Sequence, residues 1–219
     1  MVKQIFRLVY QNRVSISIYV TFLLVTAILF VNKTNMHIDE MLSYTLANNE
    51  GIVMDFEENK TYVPAEQVYL QNLVVNNAFE QFNFATVWKN QTNDVHPPLY
   101  YCLLHFVCWL FQGTFSKWTG IGLNLLFLIF ADLIFLFIAE YLYQDIRKSV
   151  LAMMLWSCSA AGLSNILFIR MYLLLTCEIL AFAALHVWWM KKNRKELQRK
   201  DYAALLLLTA AGGLTHYYF

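Results

Sequence analysis

The 219-residue sequence is 59% apolar and only 14% charged, against roughly 45–50% and about 25% in ordinary soluble domains. Its apolar residues are gathered into long runs rather than dispersed at helical or strand spacing, which excludes a single soluble core. Sixteen basic against fifteen acidic residues leave a formal charge of +1; this excludes a nucleic-acid-binding field, and no nucleic acid is expected as a partner.

At the N-terminus, Lys3, Arg7 and Arg13 precede the apolar run 14–31. The run is too long for a signal peptide and no small-residue cleavage site follows, so residues 1–13 are expected to be cytoplasmic and 14–31 to be the first span. Residues 32–97 carry nine acids and three lysines, the acidic excess of an extracytoplasmic segment. Inside it, 38–46 has a helical pattern that stops near Gly51, and a second helix is expected from Pro64, with Glu66 and Gln67 in its first turn, to about Trp88.

The next apolar run, 99–111, would measure only about 20 Å as a helix, short of a roughly 30 Å hydrocarbon core. Three clearer runs follow at 119–143, 149–168 and 169–190, and then the stretch 191–201, with six Lys/Arg against two acids. An outside loop reaches that basic, cytoplasmic stretch only through an odd number of crossings. The run 99–111 is therefore read as a juxtamembrane helix within an extracytoplasmic loop spanning 32–118, and Arg147 and Lys148 fall inside, in agreement. A fifth run, 202–219, heads outward and stops in aromatic residues, so the chain is expected to be the N-terminal part of something longer. The predicted fold is all-α and integral to the membrane: five transmembrane helices and a large first loop with juxtamembrane helices. Trp118, Trp188 and Trp189 fit interfacial belts, Ser157, Ala161 and Gly162 suit close helix packing, and the four cysteines are expected to be buried free thiols.

This topology gathers the conspicuous polar residues on the outer side: His37, Asp39 and Glu40 after the first span, Asp94 and His96 before 99–111, Arg170 and Tyr172 at the start of the fourth span, and Thr215, His216 and Tyr217 in the fifth. Asp39 and Glu40 can serve as a general base or metal ligands, or can simply be first-turn acids favourable to a helix N-terminus. Arg170 stands in a long apolar stretch at headgroup depth. Its guanidinium suits a phosphate, and the alternative is snorkelling to the interface. Pro97 and Pro98 make a rigid elbow that presents His96. His216 also reads as a helix-end residue at the interface. Asp132 and Glu178 lie deeper and are expected to pair with polar groups on neighbouring helices.

Taken together, Ile38-Asp39-Glu40, Asp94-Val95-His96-Pro97-Pro98-Leu99-Tyr100-Tyr101, Ile169-Arg170-Met171-Tyr172 and Thr215-His216-Tyr217-Tyr218 resemble motifs of the GT-C polytopic glycosyltransferases. The resemblance is to the branch of protein O-mannosyltransferases, aminoarabinose transferases and Rgt-like enzymes, and it runs from about residue 14 to the end. It implies an inverting hexosyl- or pentosyltransferase in the cell membrane with its active face outside. The donor would be a polyprenyl-phosphate-linked sugar, and the acceptor a glycan, lipid or protein. Asp39, with Glu40, would be catalytic, Arg170, His96 and His216 would hold the donor phosphate, and Asp94, Tyr172 and Tyr217 would contact substrate. The resemblance implies no particular cofactor, and a divalent metal is left open. The competing class is a non-enzymatic polytopic membrane protein, such as a transporter of lipid-linked sugars or a complex subunit, for which ionisable groups near the midplane are expected.

Overall fold

The computed structural model describes residues 13–52, 73–74, 82–111, 115–190 and 197–219. Among these residues the protein is entirely helical. Its elements are α1 (Arg13–Val31), α2 (Ile38–Asn48), α3 (Phe84–Thr92), α4 (Leu99–Leu110), α5 (Lys117–Tyr143), α6 (Ile146–Ser157), α7 (Ala160–Leu167), α8 (Tyr172–Met190) and α9 (Arg199–Thr215).

Two helices are long and apolar enough to cross a membrane, α5 with 27 residues and α8 with 19. The α6–α7 pair, bent by 61° at its break, makes a third if it is one broken span. The apolar part of α1, Tyr19–Val31, and the whole of α4 are shorter. The run 149–168 is thus not the straight helix its hydropathy suggests. Ser159 caps α7 by accepting a hydrogen bond from the Gly162 N–H at 3.0 Å, which starts a new helix in a new direction. Gly162 is required at that corner. A Cβ there would stand 2.6 Å from the Ser157 carbonyl oxygen and 2.7 Å from that of Trp156.

α8 packs along α5, which also carries α6, and α9 packs on α8. Large apolar side chains such as Leu133, Leu151, Leu155, Leu206 and Leu207 remain on the outside of this group, as expected of surfaces that meet lipid rather than water. The deep acids pair with neighbouring helices. Asp132 on α5 accepts from the Tyr19 hydroxyl of α1 at 2.9 Å and from the Ser157 hydroxyl of α6, and Glu178 on α8 accepts from the Thr215 hydroxyl of α9 at 3.0 Å.

A smaller layer, α2, α3 and α4, sits at one end of α5. α2 begins in a reciprocal cap. The His37 side chain accepts from the Asp39 N–H at 3.2 Å, and Glu40 accepts from the His37 N–H at 2.7 Å, a capping box with histidine in the usual serine or threonine place. α3 starts at Phe84, capped by Asn83 after Phe82 with φ 59°. A helix running unbroken from Pro64 to Trp88 is therefore excluded at its C-terminal end, and its earlier part lies outside the described residues. Asn90 of α3 ties the turn after α2 in place, since its amide donates to the carbonyls of Leu46 (2.9 Å) and Asn49 (2.7 Å) and accepts from the Gly51 N–H (3.0 Å).

Tyr44 ties this layer to α5, and Lys117 ties the end of α1 to the same end of α5. The Tyr44 hydroxyl donates to the Ser116 carbonyl at 3.1 Å and accepts from the Gly120 N–H at 2.9 Å. Lys117 donates to the carbonyls of Val31 and Lys33, a cation at the C-terminal end of α1, where the helix dipole favours one. At the other side of α5, the Asn124 amide donates to the carbonyls of Ile166 (3.0 Å) and Phe168 (2.9 Å), so the break between α7 and α8 is fixed against α5.

Candidate functional site

The break between α7 and α8 and the first turn of α2 meet beside the loop that leads into α4, and a cleft of about 360 Å³ opens there. Its polar wall is Asp39, Asn90, Asn93, Asp94, His96 and Arg170, and Leu42, Leu46, Ile52 and Val95 supply apolar surface. Four of the residues singled out in the sequence (Asp39, Asp94, His96 and Arg170) thus line one cavity, although they come from three separate stretches of the chain.

Arg170 is the most constrained of them. It is 5% exposed, and its Nη1 donates to three neutral oxygens: the Asp39 carbonyl (3.3 Å), the Tyr101 hydroxyl (3.3 Å) and the Ser43 hydroxyl (3.5 Å). All three contacts are at or beyond the long end of good hydrogen-bond geometry. Its buried Nε has no partner, and Arg170 makes no ion pair among the described residues. A guanidinium removed from water without a counter-ion is costly. Arg170 thus brings to the cleft a positive charge that no direct ion pair offsets. Burial pushes the Tyr101 hydroxyl well above the usual tyrosine range, the Arg170 charge opposing it only in part, so Tyr101 stays protonated and acts as a neutral neighbour.

Asp39 and Glu40 are adjacent in sequence but face different surroundings. The Asp39 side chain is 35% exposed, lies 3.7 Å from the His37 ring nitrogen and lines the cleft. The Glu40 side chain is fully buried, and both of its oxygens are engaged. It is absent from the cleft wall, and nothing in its surroundings leaves an oxygen open to a substrate.

Asp94 and His96 form a local pair, Oδ2 to Nδ1 at 3.2 Å. With Nδ1 so engaged, Nε2 is the imidazole nitrogen left for a ligand. His216, just past the end of α9, stands edge-on to His96 with ring centroids 6.1 Å apart, and Tyr172 lies 6.1 Å from it on the other side. The Tyr218 N–H donates to His216 Nδ1 at 3.2 Å, which places the proton of the neutral ring on Nε2. Tyr172 stacks on Phe168, centroids 6.0 Å apart and planes 6° from parallel. His216 and Tyr172 flank the cleft without lining it, and Tyr217 is 69% exposed and lines no part of it.

Sequence reasoning did not single out Lys33, Ser43, Asn90 or Asn93, and it gave no role to Tyr101, which closes the motif that begins at Asp94. Ser43 was within reach, since it lies four residues after Asp39 and hence on the same face of α2. Among the described residues no cluster of three or more His, Cys, Asp or Glu is arranged to hold a metal ion. No family model, no curated protein and no solved structure matches the chain.

Proposed function

We propose that this chain carries the catalytic cleft of an integral-membrane glycosyltransferase that moves a sugar from a polyprenyl-phosphate donor to an acceptor hydroxyl at the extracytoplasmic face, with inversion. The observation that carries the reading is Arg170, a buried cation without a direct ion pair facing a cleft that also presents the part-exposed carboxylate of Asp39. Such a site has two jobs to perform. A carboxylate must take the proton of the attacking hydroxyl, and a cation must meet the negative charge that grows on the departing phosphate.

In this mechanism the acceptor oxygen attacks the anomeric carbon from the Asp39 side while its proton passes to an Asp39 oxygen. The bond from the anomeric carbon to the phosphate oxygen breaks, its electron pair leaves with the polyprenyl phosphate, and Arg170 takes up that charge through the donors its neutral neighbours leave free. His216, neutral with Nε2–H available, adds a donor to a phosphate oxygen. His96, with Asp94 on its Nδ1, lines the cleft with His216 beside it. The stacked Phe168 and Tyr172 rings offer an apolar edge to the sugar or to the first prenyl unit. Glu40 takes no chemical part.

The reading includes the five-span topology, with α1, α5, the α6–α7 pair, α8 and α9 crossing and α4 lying along the outer surface. At 12 residues α4 would be about 18 Å long, less than the hydrocarbon thickness, and it holds Tyr101 against Arg170. A transporter reading draws less support, because the deep acid Asp132 has both oxygens engaged between helices and Glu178 has one. The direct test is release of polyprenyl phosphate from a polyprenyl-phosphate sugar by the purified protein in lipid. Release that requires both Asp39 and Arg170 is the expected result, and release unchanged in Asp39→Asn and Arg170→Ala would overturn the proposal.

A further inference from the structure

Behind the cleft, a lysine that does not line it meets the buried carboxylate next to Asp39. Glu40 uses both carboxylate oxygens: Oε1 accepts from the Ile169 N–H at 2.8 Å, and Oε2 accepts from the His37 N–H at 2.7 Å and from Lys33 Nζ at 2.9 Å. Two of these donors are neutral amides. Lys33, whose side chain is 14% exposed, is the only cation among them.

One residue after Ile169, Arg170 donates to the carbonyl of Asp39, one residue before Glu40. The two segments therefore exchange bonds crosswise: the side chain of residue 40 holds the backbone of 169, and the side chain of 170 holds the backbone of 39. This crossing brings a fully buried carboxylate and a buried guanidinium into neighbouring positions, yet they form no ion pair. Buried opposite charges attract strongly and are weakly screened. A Glu40 without a counter-ion would draw the guanidinium toward itself and out of the cleft.

We propose that Lys33 is the internal counter-ion of Glu40, and that by neutralising it Lys33 leaves the Arg170 charge available to a phosphate in the cleft. Lys33 is thus a positioning residue that touches no ligand. The inference rests on the reading of the cleft as a phosphate-binding site, whether that phosphate is lipid-linked or free. Besides Glu40, the charged and titratable groups bearing on Arg170 are Asp39 from α2, Asp94 and His96 from the loop before α4, Tyr101 from α4, and His216 from the end of α9. None of them is paired with Lys33.

The test is binding of farnesyl phosphate, with inorganic phosphate as competitor, to the protein in nanodiscs of zwitterionic lipid. Four forms are compared: wild type, Arg170→Ala, Lys33→Met, and Lys33→Met with Glu40→Gln. Lys33→Met should weaken farnesyl phosphate binding roughly tenfold or more, the size expected when a charge-assisted contact is lost, and should approach Arg170→Ala. The double variant should recover most of that loss, because it removes both charges while the substituted amide still offers an oxygen to the Ile169 N–H. Recovery also excludes a simple folding defect. Failure of inorganic phosphate to compete at matched concentration identifies a lipid-linked ligand, and effective competition identifies a free anion, either of which the Arg170 charge serves. Lys33→Met binding as tightly as wild type, or no recovery in the double variant, would overturn the counter-ion role while leaving the cleft's function standing. Wild type that binds neither probe would overturn the phosphate reading itself.

Discussion

Replacing Arg170 separates a phosphate site from an arginine that only reaches the interface. In the structure the guanidinium meets three neutral oxygens at 3.3–3.5 Å and no carboxylate, so little of its binding capacity is committed inside the protein. A bound phosphate would supply a charge-assisted hydrogen bond worth about 1.5–3 kcal/mol, or roughly ten- to a hundredfold in donor use. Arg170→Ala should therefore raise the donor KM or lower donor kcat/KM by that factor, with a small change at saturating donor when the acceptor is varied. Arg170→Lys should fall between the two, because an ammonium keeps the charge but cannot present two parallel donors. The assay is transfer at fixed acceptor with varied polyprenyl-phosphate sugar, then the reverse, for both variants in lipid. Arg170→Ala with normal donor kinetics, or with the loss confined to the acceptor, would refute the phosphate role.

Further outcomes follow from the packing and the topology. Gly120→Ala should cost about 1–3 kcal/mol, since a Cβ there would stand 2.3 Å from Ile169 Cγ2 and 2.8 Å from the Tyr44 hydroxyl; thermal unfolding unchanged in this variant would contradict that close approach. Asn90→Ala removes three hydrogen bonds made by a residue 7% exposed and should destabilise the α2–α3 layer by about 1–3 kcal/mol, read as earlier proteolysis of that layer. In a cysteine-free background, a cysteine at position 115 should react with an impermeant reagent from outside and one at 146 only after permeabilisation; labelling at 115 solely from the cytoplasmic side would mean that α4 spans.

Hydropathy made the long helices legible, because α5 and α8 are apolar enough to cross whatever their neighbours are. It could not show the 61° break between α6 and α7, since the run 149–168 is apolar throughout and the corner comes from one serine cap and one glycine. The cleft residues were legible as polar groups in unexpectedly apolar or rigid settings, as with Arg170 and the His96-Pro97-Pro98 elbow. The different surroundings of Asp39 and Glu40 follow from the helix they share. Glu40, Ser43, Tyr44 and Ala47 are all buried and recur at the spacing of one helical face, which turns Glu40 inward and leaves Asp39 about 100° around the helix. The role of Lys33 was not legible, because its contact with Glu40 depends on the path of residues 32–37, which no periodicity specifies. Tyr217 stood in a motif beside the cleft but points away from it, a difference of one residue at the end of α9.

The most direct test of the proposed chemistry is single-turnover transfer by Asp39→Asn, measured with saturating polyprenyl-phosphate sugar in lipid alongside wild type and with farnesyl phosphate binding followed in parallel. An asparagine keeps the volume and cannot accept the acceptor's proton, so donor binding should be retained while transfer falls by about a hundredfold or more, the contribution typical of a general base. Transfer kept at more than about a tenth of wild type, a loss under about 1.4 kcal/mol, would contradict the assignment of Asp39 as the base.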